Sequence, residues 1–508
     1  MFQFTSKAKI LAYALIVLGA ISLVIGFTSV PGDHHEGGHD TEEQHHDGAH
    51  EEHGDDHAAT THEGGELFAM NDQNAVDQHE SEEMHAEDDA HADEATEEHA
   101  EEMHAEEHHA EDAHDDHAEH AAAAHGDHVE HGDHDAAHAE HARHQQENRP
   151  WSAFMVNTIF FLAIGLGTVF FLMIQYVARA GWTVGINRVM EAVGLFVIVP
   201  LIGMLILVFT GVADQHHIWH WMQDGIMDPA SKHYDAIIAG KEAYLNDTFF
   251  IIRAVVYAAV WYGVIVLVRR HSLKEDQEGG TARYYKIFKI AAFFAVFYAV
   301  TSSTSAWDWI MSIDTHWFST LFGWYTFAGM FVTALAALNL LVVFLRYNGY
   351  TPWLNENHQH DLAKFMFAFS IFWTYLWFSQ YMLIWYSNIP EEVTYYMQRF
   401  DQYNTLFLTM VAMNFIAPVL LVMSRDSKRV MGLVTFTATI VLVGHWLDHY
   451  VMIMPGSVGE YYGFGWAEVG GFLFYAGLYI LIVFRNLSKA PLLQKNHPMV
   501  TESKHFSL

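Results

Sequence analysis

The sequence predicts an all-α polytopic membrane protein of about ten transmembrane helices, arranged as two four-helix bundles with flanking helices. Three observations predict it. Of 508 residues, 51% are apolar and 15% aromatic. Ten apolar runs each reach the ~20 residues that cross a bilayer at ~1.5 Å per residue. Lys and Arg gather at alternate ends of those runs, the asymmetry that sets orientation in a membrane.

The first run, 8–30, follows Lys7 and Lys9 and ends in TSVPGD. It reads as a retained helix, because no small-x-small cleavage site follows it; a cleaved signal peptide is the alternative. Either places the next segment outside. That segment, 31–150, holds 39 of the 61 Asp and Glu and 26 of the 38 His, against two arginines, Arg143 and Arg149. The rest of the chain has 22 acids and 23 bases, so the net charge of −36 belongs to the insert. Strings such as HAEEMHAEEHHAEDAHDDHAEHAAAAH suggest weak binding of zinc, copper or nickel. Their spacing is irregular, however, and fixes no ligand set. A disordered, solvated extracytoplasmic loop is the plainer reading; proton buffering by imidazoles is a third.

Helices 2–5 are expected near 151–177, 186–212, 248–269 and 284–306, forming a first bundle over 151–311. Helices 6–9 near 319–346, 361–388, 403–424 and 429–454, with helix 10 near 464–485, fill 312–490, and 491–508 is a tail. The fifth run ends SAWDWIM and the ninth contains GHWLDHYVM, each placing a Trp and an Asp at the same membrane edge. This echo suggests that the two bundles are related. With Arg179, Arg188, Arg269, Arg270, Arg346, Lys364, Arg425 and Arg485 on one side, both termini are expected in the cytoplasm. The insert is then periplasmic.

Ionisable groups inside such helices are costly, so each asks for a partner or a task. His445, Asp448 and His449 lie at i, i+3 and i+4 and share one helix face. A proton-handling cluster is the sharper reading, and a hydrogen-bond network pinning helices is the rival. They do not suit bis-His haem, since no opposing helix offers a mid-membrane histidine. Glu191, Arg253, Asp308, Gln380, Tyr381 and Glu468 are the other intramembrane polar positions. Together they suggest two polar files, one opening inward and one outward. The chain has no cysteine, which removes disulfides, thiolate-held Fe–S clusters and c-type haem attachment.

The stretch SSTSAWDWIMSIDTHWFSTLFGWYTFAG (302–329) resembles the signature of the NrfD-like family of polysulfide reductase membrane subunits. More closely, it is similar to the ActF-type membrane subunit of alternative complex III, a quinol:cytochrome c oxidoreductase. KEAYLNDTFFIIR (241–253), FWTYLWFSQYMLIWYSNIPEE (372–392) and HWLDHY (445–450) support the likeness, which covers nearly all of 150–490. The insert departs from the family pattern, so nothing transfers to it. The resemblance implies a bacterial inner-membrane subunit with no redox cofactor of its own. Its expected partners are a multi-haem cytochrome c, an iron–sulfur subunit and a second NrfD-like subunit. Menaquinol or ubiquinol would be the substrate of the complex, and a cytochrome c or terminal oxidase its acceptor. No nucleic-acid partner is expected. The family's proton-conducting role would fall on Asp308, His445, Asp448, His449, Glu468, Gln380 and Tyr381. Competing expectations are direct quinol binding by this chain, a stand-alone proton-coupled secondary transporter with a metal-buffering loop, and a purely structural subunit.

Overall fold

A computed structural model describes residues 2–29 and 127–507. The chain divides into two units, residues 1–34 with 126–508 and residues 35–125. The second unit lies outside the described residues, and with it the metal- and proton-buffering readings of the insert.

The first unit is helical, with no strand among the described residues. Ten helices are long and apolar enough to cross a membrane. They are α1 (Ser6–Thr28), α2 (Asp127–Val177), α3 (Gly181–Val212), α4 (Asp247–Glu278) and α5 (Ala282–Trp309). Then come α6 (Phe322–Tyr347), α7 (Glu356–Ser387), α8 (Asn404–Val422), α9 (Met431–Val458) and α10 (Trp466–Ser488). In the first bundle α2 packs on α3 and α5, and α4 bridges those two. In the second, α6 packs on α7 and α9, and α8 closes the square. The bundles meet where α2 lies along α6 and α9. The membrane portions of α2 and α6 are each 89% buried, which suits helices that are apolar on every side.

Outside the two bundles, α1 and α10 form a flanking pair against α2. Lipid tails give apolar helices no reason to associate, so close packing must do it. Glycine supplies the closeness: a Cβ on Gly470 of α10 would lie 2.7 Å from the backbone of Leu23 on α1.

Several boundaries differ from the sequence reading: α4 runs nine residues past the expected 269 to Glu278, and α3 and α7 each start five residues early, at Gly181 and Glu356. Helix α2 begins at Asp127, well before 151, so the end of the predicted insert is continuous with the second span. Helix α5 runs through TSSTSAWDW to Trp309, past the expected end at 306. The hydroxyls there turn back on their own helix, Thr301 Oγ1 donating to Phe297 O at 2.9 Å and Ser305 Oγ to Ser302 O at 3.2 Å, so the polar run stays helical. A further feature was not legible: α8 contains a π-turn at Ala412–Ile416. Pro418 has no N–H for the carbonyl of Asn414, four residues back, and the helix widens to accommodate the loss.

Candidate functional site

Among the described residues, the two chain ends come to one face of the bundles, the termini face, where Phe2 meets Phe484 and Phe506 meets His358. The ends of α1 and α2 that border the insert come to the other, the insert face, where Phe27 meets Trp151. Three buried polar clusters sit between these faces. On α9, Asp448 has no exposed surface and receives three donors. Tyr325 OH of α6 donates to Oδ1, while Trp373 Nε1 of α7 (3.0 Å) and His445 Nδ1 (3.3 Å) share Oδ2. Gly329 of α6 permits the approach, since an added Cβ would stand 3.2 Å from Oδ2. The other imidazole nitrogen, His445 Nε2, is buried with no hydrogen-bond partner among the described residues. The same is true of both amide atoms of Asn414, at the π-turn, and of Ser370 Oγ on α7. Gly444, next to His445, leaves the space that Asn414 occupies.

His449 does not join this cluster. Its Nδ1 donates to His445 O at 2.6 Å, and its ring stands edge-on to Phe160 of α2, 6.2 Å between centroids. The expected one-faced trio is therefore a pair and an outlier. At 100° per residue His449 is turned about a quarter of a circle from Asp448, enough to face α2 rather than α6 and α7.

The first bundle carries a counterpart. Asp308 of α5, fully buried, accepts from Arg253 Nε (2.8 Å) and Tyr257 OH (3.0 Å), both on α4. The Arg253 guanidinium also donates to Tyr244 O at 3.0 Å and stacks on the rings of Tyr244 and Phe249, 4.0 and 4.2 Å from their centroids. Each bundle thus presents one buried aspartate on its fourth helix, Asp308 one residue before the end of α5 and Asp448 ten residues before the end of α9. The partners differ: a guanidinium at Asp308, and a phenol, an indole and an imidazole at Asp448.

Glu191 lies toward the termini face, bound by Arg269 Nη1 (2.7 Å) and Gln494 Nε2 (3.2 Å), with Arg188 at 3.5 Å. Glu468 opens α10, where Oε2 caps Gly465 N at 2.7 Å and Oε1 meets Arg149 Nε at 3.2 Å. That is a helix-start role, favourable for a carboxylate. Gln380 is buried and its Oε1 has no partner among the described residues. Tyr381 stacks on Trp377 at 6.2 Å and borders Tyr396.

Sequence reading missed the polar residues that lie between Tyr325, the partner of Asp448, and the insert face. A small cavity is lined by Tyr325, Gln380, Tyr395, Tyr396 and Arg399. Beyond it, a polar cleft of about 270 Å³ is bordered by Tyr395, Asp314, His216 and His316. Arg399, on the surface helix Pro390–Asp401, is only 1% exposed. Its Nη1 donates to Tyr395 O at 2.7 Å, and Asp314 lies 3.6 Å from Nη2. Burial pushes the Asp314 carboxyl up, and the Arg399 charge holds it back. No local signal distinguishes Arg399 from a loop cation. The spacing of Arg188 and Glu191, by contrast, already marks an i,i+3 pair.

In the cleft wall, His216 Nε2 donates to Leu207 O at 3.1 Å, and burial pushes its pKa down to about 4. The native imidazole stays neutral where an unfolded one, near 6.5, takes a proton. Stability therefore falls as pH drops from about 6.5 toward 4, by on the order of 3 kcal/mol. Melting the protein at pH 7 and pH 5 is expected to show about 2 kcal/mol of that loss, and His216→Gln should remove part of the pH dependence. An unaltered dependence in the variant would assign it elsewhere, first to His497, which burial also lowers to about 4.

Among the described residues no group of three or more His, Asp or Glu is arranged to hold a metal ion. No protein-family model matches the chain, and no curated protein matches it.

Proposed function

We propose that this chain is a cofactor-free membrane subunit of a respiratory quinol-oxidising complex, and that its second bundle conducts protons. One observation carries the reading. A fully buried carboxylate, Asp448, is joined to an imidazole whose far nitrogen has no partner among the described residues, and on its other side to Tyr325, which borders a small cavity toward the insert face. An imidazole with a carboxylate at one nitrogen and the other nitrogen open can take a proton at Nε2 and release one from Nδ1. A permanently ionised pair would not relay in this way. Asp448, unlike Asp308, has no guanidinium to fix its charge.

The quinol assignment rests on the resemblance of 302–329, 372–392 and 445–450, whose residues Tyr325, Trp373, Gln380, His445 and Asp448 surround this site. Electrons from menaquinol or ubiquinol then travel through partner subunits, a multi-haem cytochrome c and an iron–sulfur protein beside a second NrfD-like subunit, to a cytochrome c or terminal oxidase. The membrane is the bacterial inner membrane, with the termini cytoplasmic and the insert periplasmic.

Direct quinol binding is the second reading, favoured by an apolar groove of about 620 Å³ beside α10, bordered by Phe160, Trp446 and Phe472 and reaching Glu468. Purification from native membranes in mild detergent tests both. Haem- and iron–sulfur-bearing subunits are expected to co-purify, with a photoreactive quinone labelling a partner. Labelling at the α10 groove would favour the second reading. A lone chain that transports a solute in vesicles would overturn both.

A further inference from the structure

The cluster near the termini face leaves one acid over. Glu191 and Asp276 share two guanidiniums, Arg269 at 2.7 Å from Glu191 and Arg188 at 2.7 Å from Asp276. Glu275, on the same face of α4 as Ser272, is 0% exposed, and neither of its carboxyl oxygens has a hydrogen-bond partner among the described residues. A buried polar atom without a partner calls for an explanation, and a buried carboxylate without one is far more costly than a neutral carboxyl. The groups acting on Glu275 are Glu191 and Arg188 from α3, Asp276 from its own helix, Tyr176 from α2 and Tyr284 from α5. Arg188 bonds Asp276 and Ser272 O through Nη2, while its Nε has no acceptor among the described residues.

The C-terminal segment packs on the neighbours of Glu275. Gln494 Nε2 donates to Ser272 Oγ (2.7 Å), Tyr176 OH (3.1 Å) and Glu191 Oε1 (3.2 Å). Lys495 N donates to Asp276 Oδ1 at 2.7 Å, and the ring of His497 stands edge-on to Tyr284 at 5.3 Å. Asn187 Nδ2 donates to Gln494 Oε1 at 3.1 Å, and Leu492 and Met499 pack against the core on either side, so the hold at Gln494 itself is polar.

We propose that Glu275 is a proton-exchange site and that residues 494–497 are the lid controlling its contact with water. In the closed state Glu275 holds its proton. When Gln494 withdraws, water reaches the carboxyl, the O–H bond breaks, and the proton passes to that water. The carboxylate left behind feels the attraction of the Arg188 charge, and the reverse step restores the neutral group. No other reactant is required. This site is on α4, in the bundle that the quinol-linked proton reading does not use.

Infrared difference spectroscopy of the intact protein in lipid, exchanged into D₂O, tests the proposal without turnover, so its failure is separable from failure of the quinol reading. A protonated-carboxyl C=O band is expected in the wild type and absent in Glu275→Gln. Gln494→Ala should speed deuterium exchange of that band by about tenfold or more, because the four hydrogen bonds of the Gln494 side chain are lost. If Glu275→Gln fails to assemble, Glu275→Asp should shift the band instead. A band unchanged in the Glu275 variant, or an exchange rate unchanged by Gln494→Ala, overturns the proposal.

Discussion

Replacing Asp448 is expected to separate proton handling from helix pinning. Asp448→Leu strips the acceptor from Tyr325, Trp373 and His445, leaving three buried donors at ~1–3 kcal/mol each, and should prevent stable assembly. Asp448→Asn keeps the volume and one acceptor oxygen, so the bundle should still form. It cannot take up a proton as a carboxylate does. In reconstituted vesicles with a pH-sensitive dye, Asp448→Asn should lower proton movement per electron by at least about tenfold, the scale of one general acid–base group. Tyr325→Phe, which leaves the carboxylate but breaks its link toward the insert face, should fall between Asn and wild type. Full proton movement in an assembled Asp448→Asn complex would make the cluster a structural pin.

Arg253→Ala should be the most destabilising single change in the first bundle. It removes the charge facing Asp308 and a guanidinium stacked on two rings, and breaking a buried pair from one side costs on the order of 3–5 kcal/mol. Arg253→Lys should recover little, because an ammonium cannot bond Asp308 and Tyr244 O together while lying flat on the rings. Adding Asp308→Asn to Arg253→Ala should return part of the loss, since the carboxylate left bare is what makes the single change costly. Thermal melting of the four proteins of this cycle in detergent gives the coupling directly. Additive losses would show that the two side chains do not act as a pair.

The two aspartates illustrate how much of the site is readable in one dimension. Apolar length located all ten spans, because a bilayer demands the same thing of each of them. The cost of charge in lipid marked Asp308, Asp448, His445, Glu191 and Arg253 as positions with a purpose. Helical spacing joined His445 to Asp448, three residues apart. It also joined His449 to them, wrongly, because sharing a face to within 100° does not choose between two neighbouring helices.

Partners from distant segments were not legible. Tyr325 lies 123 residues before Asp448, and Gln494 lies 303 residues after Glu191. Nothing in WFSTLFGWYTF separates Tyr325 from its aromatic neighbours, and nothing in LLQKNHP announces a lid. Such pairings arise from which helices pack together and how each is rotated. The sequence by itself determined that this is a polytopic helical protein with charged groups placed inside its spans, since hydropathy and desolvation act residue by residue. Which of those groups are neutralised, which are joined to imidazole and phenol, and which are left without a partner was decided only by packing, because a hydrogen bond in a dry interior depends on a few tenths of an ångström between chain segments far apart.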